Sequence, residues 1–132
     1  MALLSRSQIL EAQDIKTKKI NVPEWGGEIM IKQLSAKEND DIVMNMVNVK
    51  KMAAKQLSKK SNENYEEAVN EVAIKNQKIM MIVKSVVDEN MKQLFTEADI
   101  ELLATKNTSV IEKVYAEIVE FNDSVLEDNK KN

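Results

Sequence analysis

A single five-residue segment holds most of the chain's special backbone residues. The only proline, the only tryptophan and both glycines fall within Pro23-Glu24-Trp25-Gly26-Gly27. Proline fixes φ and has no N–H to donate, whereas glycine reaches positive φ without a steric penalty, so the combination is typical of a tight chain reversal. The rest of the chain avoids both residue types, which favours long regular elements elsewhere.

The residues that flank this turn predict a β-hairpin. Several β-branched residues are interleaved with lysines over residues 15–22, and isoleucines recur at every second position after the turn. An isolated hairpin is only marginally stable in water, so we expect this one to pack against a helix or another chain. The face expected to be buried carries Ile20, Val22, Ile29 and Ile31.

Helix-start signals recur along the chain. At four places a serine or threonine is followed three residues later by a glutamine, glutamate or aspartate, which is the pattern of a capping box. These pairs are Ser5 with Gln8, Ser35 with Glu38, Thr96 with Asp99, and Ser109 with Glu112. A cluster of glutamates marks one more helix start, because the helix dipole favours acids there. The predicted helices cover residues 6–12, 36–57, 63–90, 97–105 and 110–122.

Apolar residues recur at steps of three and four within the long helices and predict their buried faces. The second helix carries Ile42, Met46, Val49, Ala53 and Leu57; the third carries Tyr65, Val69, Val72, Ile79, Val83 and Val86; the last carries Ile111, Val114, Tyr115, Ile118 and Phe121. Asn76 interrupts the third stripe, where an asparagine can fix the register of two packed helices. In the first helix, Ile9 and Leu10 are expected to point inward.

These elements predict a mainly α fold with a small N-terminal β-hairpin and a bundle of about four to five helices. A chain of 132 residues corresponds to one domain. We expect that domain over residues 1–122, with the first helix and hairpin in 1–34 and the helical part in 35–122. Residues 123–132 are mostly polar and charged, so we expect a flexible tail there.

Composition and charge exclude several classes of partner. The formal net charge is −3 at pH 7, so the chain has no surplus of basic residues to neutralise nucleic-acid phosphates. The longest apolar run, residues 79–83, is far shorter than the roughly 20 residues that span a bilayer. We therefore expect no nucleic-acid partner, no membrane partner and a cytoplasmic location.

The residue types needed for most catalysis are missing. The chain contains no histidine and no cysteine, which supply many of the acid–base and nucleophilic groups of enzymes. It also lacks a Gly-x-Ser-x-Gly motif and a phosphate-binding glycine loop. Neighbouring acids at 40–41 and 88–89 would point apart on a helix, so they do not predict a metal site. We expect no enzyme activity, no catalytic residues, no metal and no cofactor.

Two features have both a structural and a binding interpretation. Trp25, beside Pro23 at the hairpin tip, either anchors a partner or covers the hairpin, and we favour packing. The eight methionines either fill the core or form adaptable contacts, and we favour the core for most of them. Met44 and Met81 lie off the principal stripes. The predicted protein-binding residues are therefore Trp25, Pro23, Met44 and Met81.

The hexapeptide from Val22 to Gly27 has distinctive flanks. Before it stand Leu10, Asp14, Ile15, Lys19, Ile20 and Asn21, and after it stand Ile29, Ile31, Lys32, Leu34 and Ser35. The pattern resembles the opening of bacteriophage tail assembly chaperones and related prophage tail proteins. In that group a strand leads into a Val-Pro-Glu-Trp-Gly-Gly turn, a second strand and a Leu-Ser or Leu-Thr helix start. The resemblance covers about the first third of the chain.

This resemblance implies a phage tail assembly chaperone that acts in the bacterial cytoplasm and is not an enzyme. Its implied partner is the tape-measure protein, which it would coat before the tail tube polymerises, with the tube protein as a further candidate. Weak self-association through hairpin edges or helix faces is also expected. Two alternatives stay open: a structural tail or head-completion component of the virion, and a bacterial adaptor unrelated to phage.

Overall fold

The chain folds into helices around a small antiparallel sheet. The computed structural model describes residues 3–57 and 65–131. In chain order the elements are α1 Arg6–Glu11, β1 Thr17–Val22, β2 Gly27–Lys32, α2 Ala36–Leu57, α3 Tyr65–Ser85, β3 Val86–Val87, α4 Ile100–Leu103 and α5 Thr108–Lys131. The predicted class, mainly α with a small N-terminal β element, is confirmed. Residues 63–64 of the predicted third helix, and the side chains of Leu57 and Tyr65, lie outside what the structure describes.

The hairpin forms as the sequence predicts. Residues Pro23–Trp25 make one turn of 3₁₀ helix, and Gly26 closes it with φ 88° while its N–H donates to the Pro23 carbonyl at 3.0 Å. A side chain at that φ would be strained, which is why glycine stands there. In the antiparallel register Ile20 lies opposite Ile29. Ile20, Val22 and Ile31 are buried.

A third strand replaces the end of the predicted third helix. That helix stops at Ser85 instead of continuing to residue 90, and Val86 and Val87 pair with Ile31 and Met30 of β2. The β-branched pair suits a strand, and the turn that follows stops any helix. In that turn the Asp88 carboxylate accepts from the backbone N–H groups of Asn90 and Lys92 at 2.8 and 3.0 Å. Val86 therefore belongs to the sheet, and its assignment to a helical face was wrong.

One hydrophobic cluster joins the sheet to α3, α4 and α5. Trp25, Ile29, Met81, Phe95, Ile100 and Phe121 pack around it while partly exposed. The predicted stripe of the last helix is confirmed, since Ile111, Val114 and Ile118 are all buried. We call the following buried residues the central cluster: Ile20, Val22, Ile31, Ile79, Ile82, Val83, Val86, Leu103, Val110, Ile111, Val114 and Ile118.

The other side of α3 packs against α2, which spans the predicted residues. Ile42 and Ala53 of α2 are buried, as are Val69, Ala73 and Met80 of α3. Predicted members Met46 and Val49 are half-buried, and Val72 is exposed, so the α3 stripe is narrower there than expected. Polar contacts also join the pair. The Asn45 amide donates to the Asn76 carbonyl oxygen, and Lys84 lies 3.8 Å from the Asp41 carboxylate.

The first helix forms but does not pack as predicted. Its capping box is present, with the Gln8 N–H donating to the Ser5 hydroxyl and the Ser5 N–H donating to the Gln8 side chain, and the helix ends at Glu11. However, Ile9 and Leu10 are 57% and 67% exposed. The expectation that they point inward was wrong: α1 has only six residues, none of them buried, and the described part of the chain leaves both side chains exposed.

The last two helices begin slightly differently from the predicted positions. Asp99 accepts from the Thr96 N–H at 2.9 Å, but the segment opens as a 3₁₀ turn and α4 ends at Leu103. The α5 helix starts at Thr108, where the Asn107 side chain accepts from the Ser109 N–H at 2.8 Å, so Asn107 takes the capping role predicted for Ser109. The helix continues to Lys131. Flexibility of residues 123–132 and the domain limits stay predictions.

Candidate partner-binding surfaces

The two residues at the hairpin tip that were predicted to bind a partner lie in different environments. Trp25 is half-buried and packs against the central cluster, whereas Pro23 is exposed. Helix α5 holds the tip in place: the Lys113 ammonium donates to the Asn21 carbonyl at 3.3 Å and lies 3.9 Å from the Glu24 carboxylate. The structure therefore gives Trp25 a packing contact and leaves Pro23 on the surface.

Met44 lies in an exposed apolar strip on the outer side of α2. Val43, Met44 and Val47 are 46%, 58% and 38% exposed, and we call these three residues the α2 strip. Their spacing of one, three and four places them on one side of the helix. The buried residues Ile42 and Ala53 lie on the other side, which packs against α3. The α2 strip is an apolar helical surface that the described part of the chain leaves exposed.

Met81 lies at a different place from Met44. It is half-buried, packs against the central cluster and lines a cleft of about 350 Å³ between the start of α2 and α5. Leu34 and Asn39 line the α2 side of this cleft, and Val119 and Asn122 line the α5 side. The structure therefore does not bring Met44 and Met81 into one site.

The wall of this cleft is fixed by hydrogen bonds and one ion pair. Asn122 accepts from the Leu34 N–H at 3.2 Å and donates to the Ile118 carbonyl at 2.8 Å. Glu38 pairs with Lys32 and accepts from the Ser35 N–H at 3.0 Å. Burial alone would raise the pKa of Glu38, but the hydrogen bond and charge of Lys32, with the bonds from Ser35, outweigh it and lower the pKa below 4.5.

Strand β1 forms a free edge of the sheet. The strand order is β1-β2-β3, so β1 pairs on one side only. Two hydrogen bonds of 2.9 Å join Lys16 to Gln33 at the end of the hairpin. Along a β-strand, the backbone N–H and C=O groups of successive residues point alternately toward the partner strand and away from it. Because Lys16 bonds to the partner strand, Thr17, Lys19 and Asn21 direct their backbone groups toward the free edge. Lysines on an edge strand discourage pairing with other strands, and Lys113 already binds the Asn21 carbonyl.

One exposed apolar segment includes Ile9 and Leu10, the two residues that were predicted to point inward. Leu3, Leu4, Ile9 and Leu10 are all exposed, and α1 contains no buried residue. We call residues 3–11 the arm. Amphipathic spacing alone identified its apolar side chains but not whether they have a neighbour. Two features of the sequence indicated that the arm would be exposed: its helix is short, and its start signal lies far from those of the other helices.

No metal site is indicated among the described residues. No three histidine, cysteine, aspartate or glutamate side chains converge in a way that could hold a metal ion within that part of the chain. Among the helices that the structure describes, none combines the length and apolar character needed to cross a membrane.

Comparison with known proteins extends the resemblance found in the opening residues. The sequence profile of the family described as phage tail assembly chaperone matches residues 5–131. Among solved structures, that of the bacteriophage HK97 tail assembly chaperone aligns with 88% of this chain and 88% of that chain, at 12% identity and a TM-score of 0.48. No curated protein matches. The family match covers nearly the whole chain, whereas the resemblance rested on its first third.

Proposed function

The chain belongs to the phage tail assembly chaperone family, and we propose that it binds the tape-measure protein during tail morphogenesis. The family is one of chaperones and not of enzymes. The proposal rests on the match over residues 5–131. In this role the protein would act in the host cytoplasm and cover the tape-measure protein until the tail tube forms around it. The tube protein is a second proposed partner.

We assign the contact to the α2 strip. A long helical tape-measure chain would present apolar side chains at helical spacing, and a surface of matching period would cover them. Val43, Met44 and Val47 are spaced as one side of a helix and are exposed, so a second helix can pack along them. Methionine is flexible and polarizable, which suits a contact that recurs against different sequences.

The polar neighbours of the strip also suit a helical partner. Asp40 lies one turn before Met44 and Lys51 lies one turn after Val47. An acid at one end and a base at the other allow ion pairs with a partner helix that carries the opposite order, which favours one orientation of docking. Pro23 at the exposed hairpin tip is a second proposed contact, whereas Trp25 and Met81 are proposed to stabilise the fold by packing against the central cluster.

The test is co-expression with the tape-measure protein of the same genome. Affinity pull-down and size-exclusion chromatography with light scattering would measure complex formation. Met44→Lys is expected to weaken binding about tenfold or more, because a charge would replace a buried thioether in the complex. Leu102→Lys is the matched control, since Leu102 is similarly exposed on α4, and it should leave binding unchanged.

Two results would contradict this proposal. One is a tape-measure protein that stays insoluble and unbound in the presence of the native chain. The other is retention of this chain in purified mature tails at fixed stoichiometry, which would favour a structural virion component.

A further inference from the structure

The outer face of the sheet carries an apolar pocket that the proposed function does not use. Residues paired across an antiparallel sheet share a face, so Met30 and Val87 lie together on one face. Their neighbours Ile31 and Val86 lie on the other face and belong to the central cluster. With Leu94, which is 52% exposed, Met30 and Val87 line a pocket of about 310 Å³. We call this the sheet pocket.

Three carboxylates surround this apolar lining. Glu28, Asp88 and Glu89 line the sheet pocket, and Lys19 is the one cation among its lining residues. Among the described side chains, none of the three carboxylates belongs to an ion pair. The Asp88 carboxylate is held in place, because one of its oxygens accepts two backbone hydrogen bonds. The pocket therefore joins an apolar lining to a surplus of negative charge.

This combination suits the side chain of a lysine or an arginine. Both side chains have a long apolar stem that packs on apolar groups while the charged end stays beside water or an acid. Met30, Val87 and Leu94 offer a surface for the stem, and the carboxylates of Glu28 and Glu89 offer partners for the charge. An aliphatic neighbour in the same segment would cover the rest of the lining. An acidic segment would be repelled, so the pocket discriminates by charge.

The sheet pocket and the α2 strip lie on different sides of the molecule. The sheet packs against one side of α3 through Ile31 and Val86. Helix α2 packs against the other side of α3 through Ile42 and Ala53. The α2 strip and the sheet pocket are on the outer faces of these two layers. A helix that packs along the α2 strip therefore leaves the sheet pocket free for another segment.

We propose that the sheet pocket holds an aliphatic segment of the tape-measure protein that carries a lysine or an arginine, while the α2 strip holds one of its helices. This inference rests on the proposed function and adds a second, charge-selective contact to it. The α2 strip recognises apolar side chains by their spacing, whereas the sheet pocket requires a positive charge beside them. Two contacts with one client raise the overall affinity above that of either contact alone.

Chemical-shift mapping with a short peptide tests the pocket directly. The probe is a five-residue peptide, blocked at both ends, with a lysine between a leucine and a valine, added to the isotope-labelled chain. The amide signals of Met30, Val87 and Leu94 should move, and that of Val47 in the α2 strip should not. The matched control peptide has a glutamate in place of the lysine and should move none of these signals.

Three results of this titration would overturn the proposal. One is an equal response to the lysine and glutamate peptides, which would show that charge is not recognised. Another is the absence of any response to the lysine peptide. The third is a response to spermidine as strong as that to the peptide, which would show a site for free cations and not for a polypeptide segment.

Charge reversal tests the same contact in the complex. A Glu28→Lys, Glu89→Lys protein should bind the co-expressed tape-measure protein at least about tenfold more weakly. Both glutamates are exposed, and circular dichroism would check that the fold is kept. A Glu101→Lys, Glu120→Lys protein makes the same change of charge at exposed positions and should bind as the native chain does.

Salt gives a second readout of this contact. Raising the salt from about 0.1 M to about 1 M shortens the screening length from about 10 Å to about 3 Å. This change should weaken tape-measure binding by the native chain and by the Glu101→Lys, Glu120→Lys control, but not by the Glu28→Lys, Glu89→Lys protein. The Met44→Lys protein should bind more weakly and still respond to salt.

The outcomes separate this inference from the proposed function. If the native chain does not bind the tape-measure protein, both are wrong. If the native chain binds it, and the Glu28→Lys, Glu89→Lys protein binds it equally well with the same dependence on salt, only the sheet pocket contact is wrong. The contact assigned to the α2 strip would then stand.

Discussion

The two sides of α3 differ in the residues that pack against them. One side faces the sheet and α5 and contributes Ile79, Ile82 and Val83 to the central cluster; among the described residues, no member of that cluster comes from α2. The side facing α2 is joined by fewer buried apolar residues and by polar contacts such as Asn45 with Asn76. Hydrophobic burial supplies most folding free energy. The sheet side should therefore carry the stability, while α2 is a layer with an outer face available to a partner.

Truncation on each side would test this difference most strongly. Ile118→Ala in the central cluster should lower the free energy of unfolding by about 2–5 kcal/mol, because it leaves a cavity among buried neighbours. Ile42→Ala, at the buried contact between α2 and α3, should lower it less, by about 2 kcal/mol, because fewer buried apolar residues join that side. Urea unfolding followed by circular dichroism measures both. Similar losses would mean that α2 is as fully integrated as α5.

Removing the hydrogen bond between Asn45 and Asn76 should lower the stability by a smaller amount, and only on the side of α3 that faces α2. Asn76→Ala should cost about 1–2 kcal/mol, because it leaves the Asn45 amide part-buried without its partner. Hydrogen exchange should show faster opening of α2 amides, with little change in α5. Asn70→Ala, at an exposed position of α3, is the control. Equal acceleration throughout the chain would show that the two sides unfold together.

The smallest expected effect concerns the link between the sheet and α2. Because the folded pKa of Glu38 lies below 4.5, its ionised form stabilises the fold above that pH, and this contribution is lost as the pH falls through the folded pKa. At pH 7, Glu38→Gln should cost about 0.5–1 kcal/mol, given the contact with Lys32 and the helix cap. The difference from the native chain should shrink toward pH 3 in urea unfolding. Glu120→Gln, at an exposed glutamate of α5, is the control substitution.

Local chemistry made much of this fold predictable. Proline and glycine located the turn because Gly26 takes a positive φ there. The side chains of Gln8 and Glu38 accept hydrogen bonds from the backbone N–H groups of Ser5 and Ser35, which directly precede α1 and α2. The face of α5 followed from its helical period, since one side of that helix meets the central cluster. Such features depend on residues within one or two turns of each other.

The rest depends on contacts between distant residues. In the sequence, Val86 and Val87 fit the apolar pattern of the preceding helix. They form a strand because they pair with β2. The exposure of Ile9 and Leu10 reflects the absence of a neighbour along the described chain. The separate positions of Met44 and Met81 depend on how α2 and α5 flank α3.

The dependence of the hairpin on α5 has a consequence for synthesis on the ribosome. Lys18 pairs with Glu117 across 99 positions, and Lys113 holds the Asn21 carbonyl across 92. Translation proceeds at about 5–20 residues per second, so the hairpin waits roughly 5–20 s before α5 is made. During that interval Ile20, Val22 and Ile31 lack their final neighbours. The nascent chain is therefore prone to aggregation until its last helix has been synthesised and packs against the hairpin.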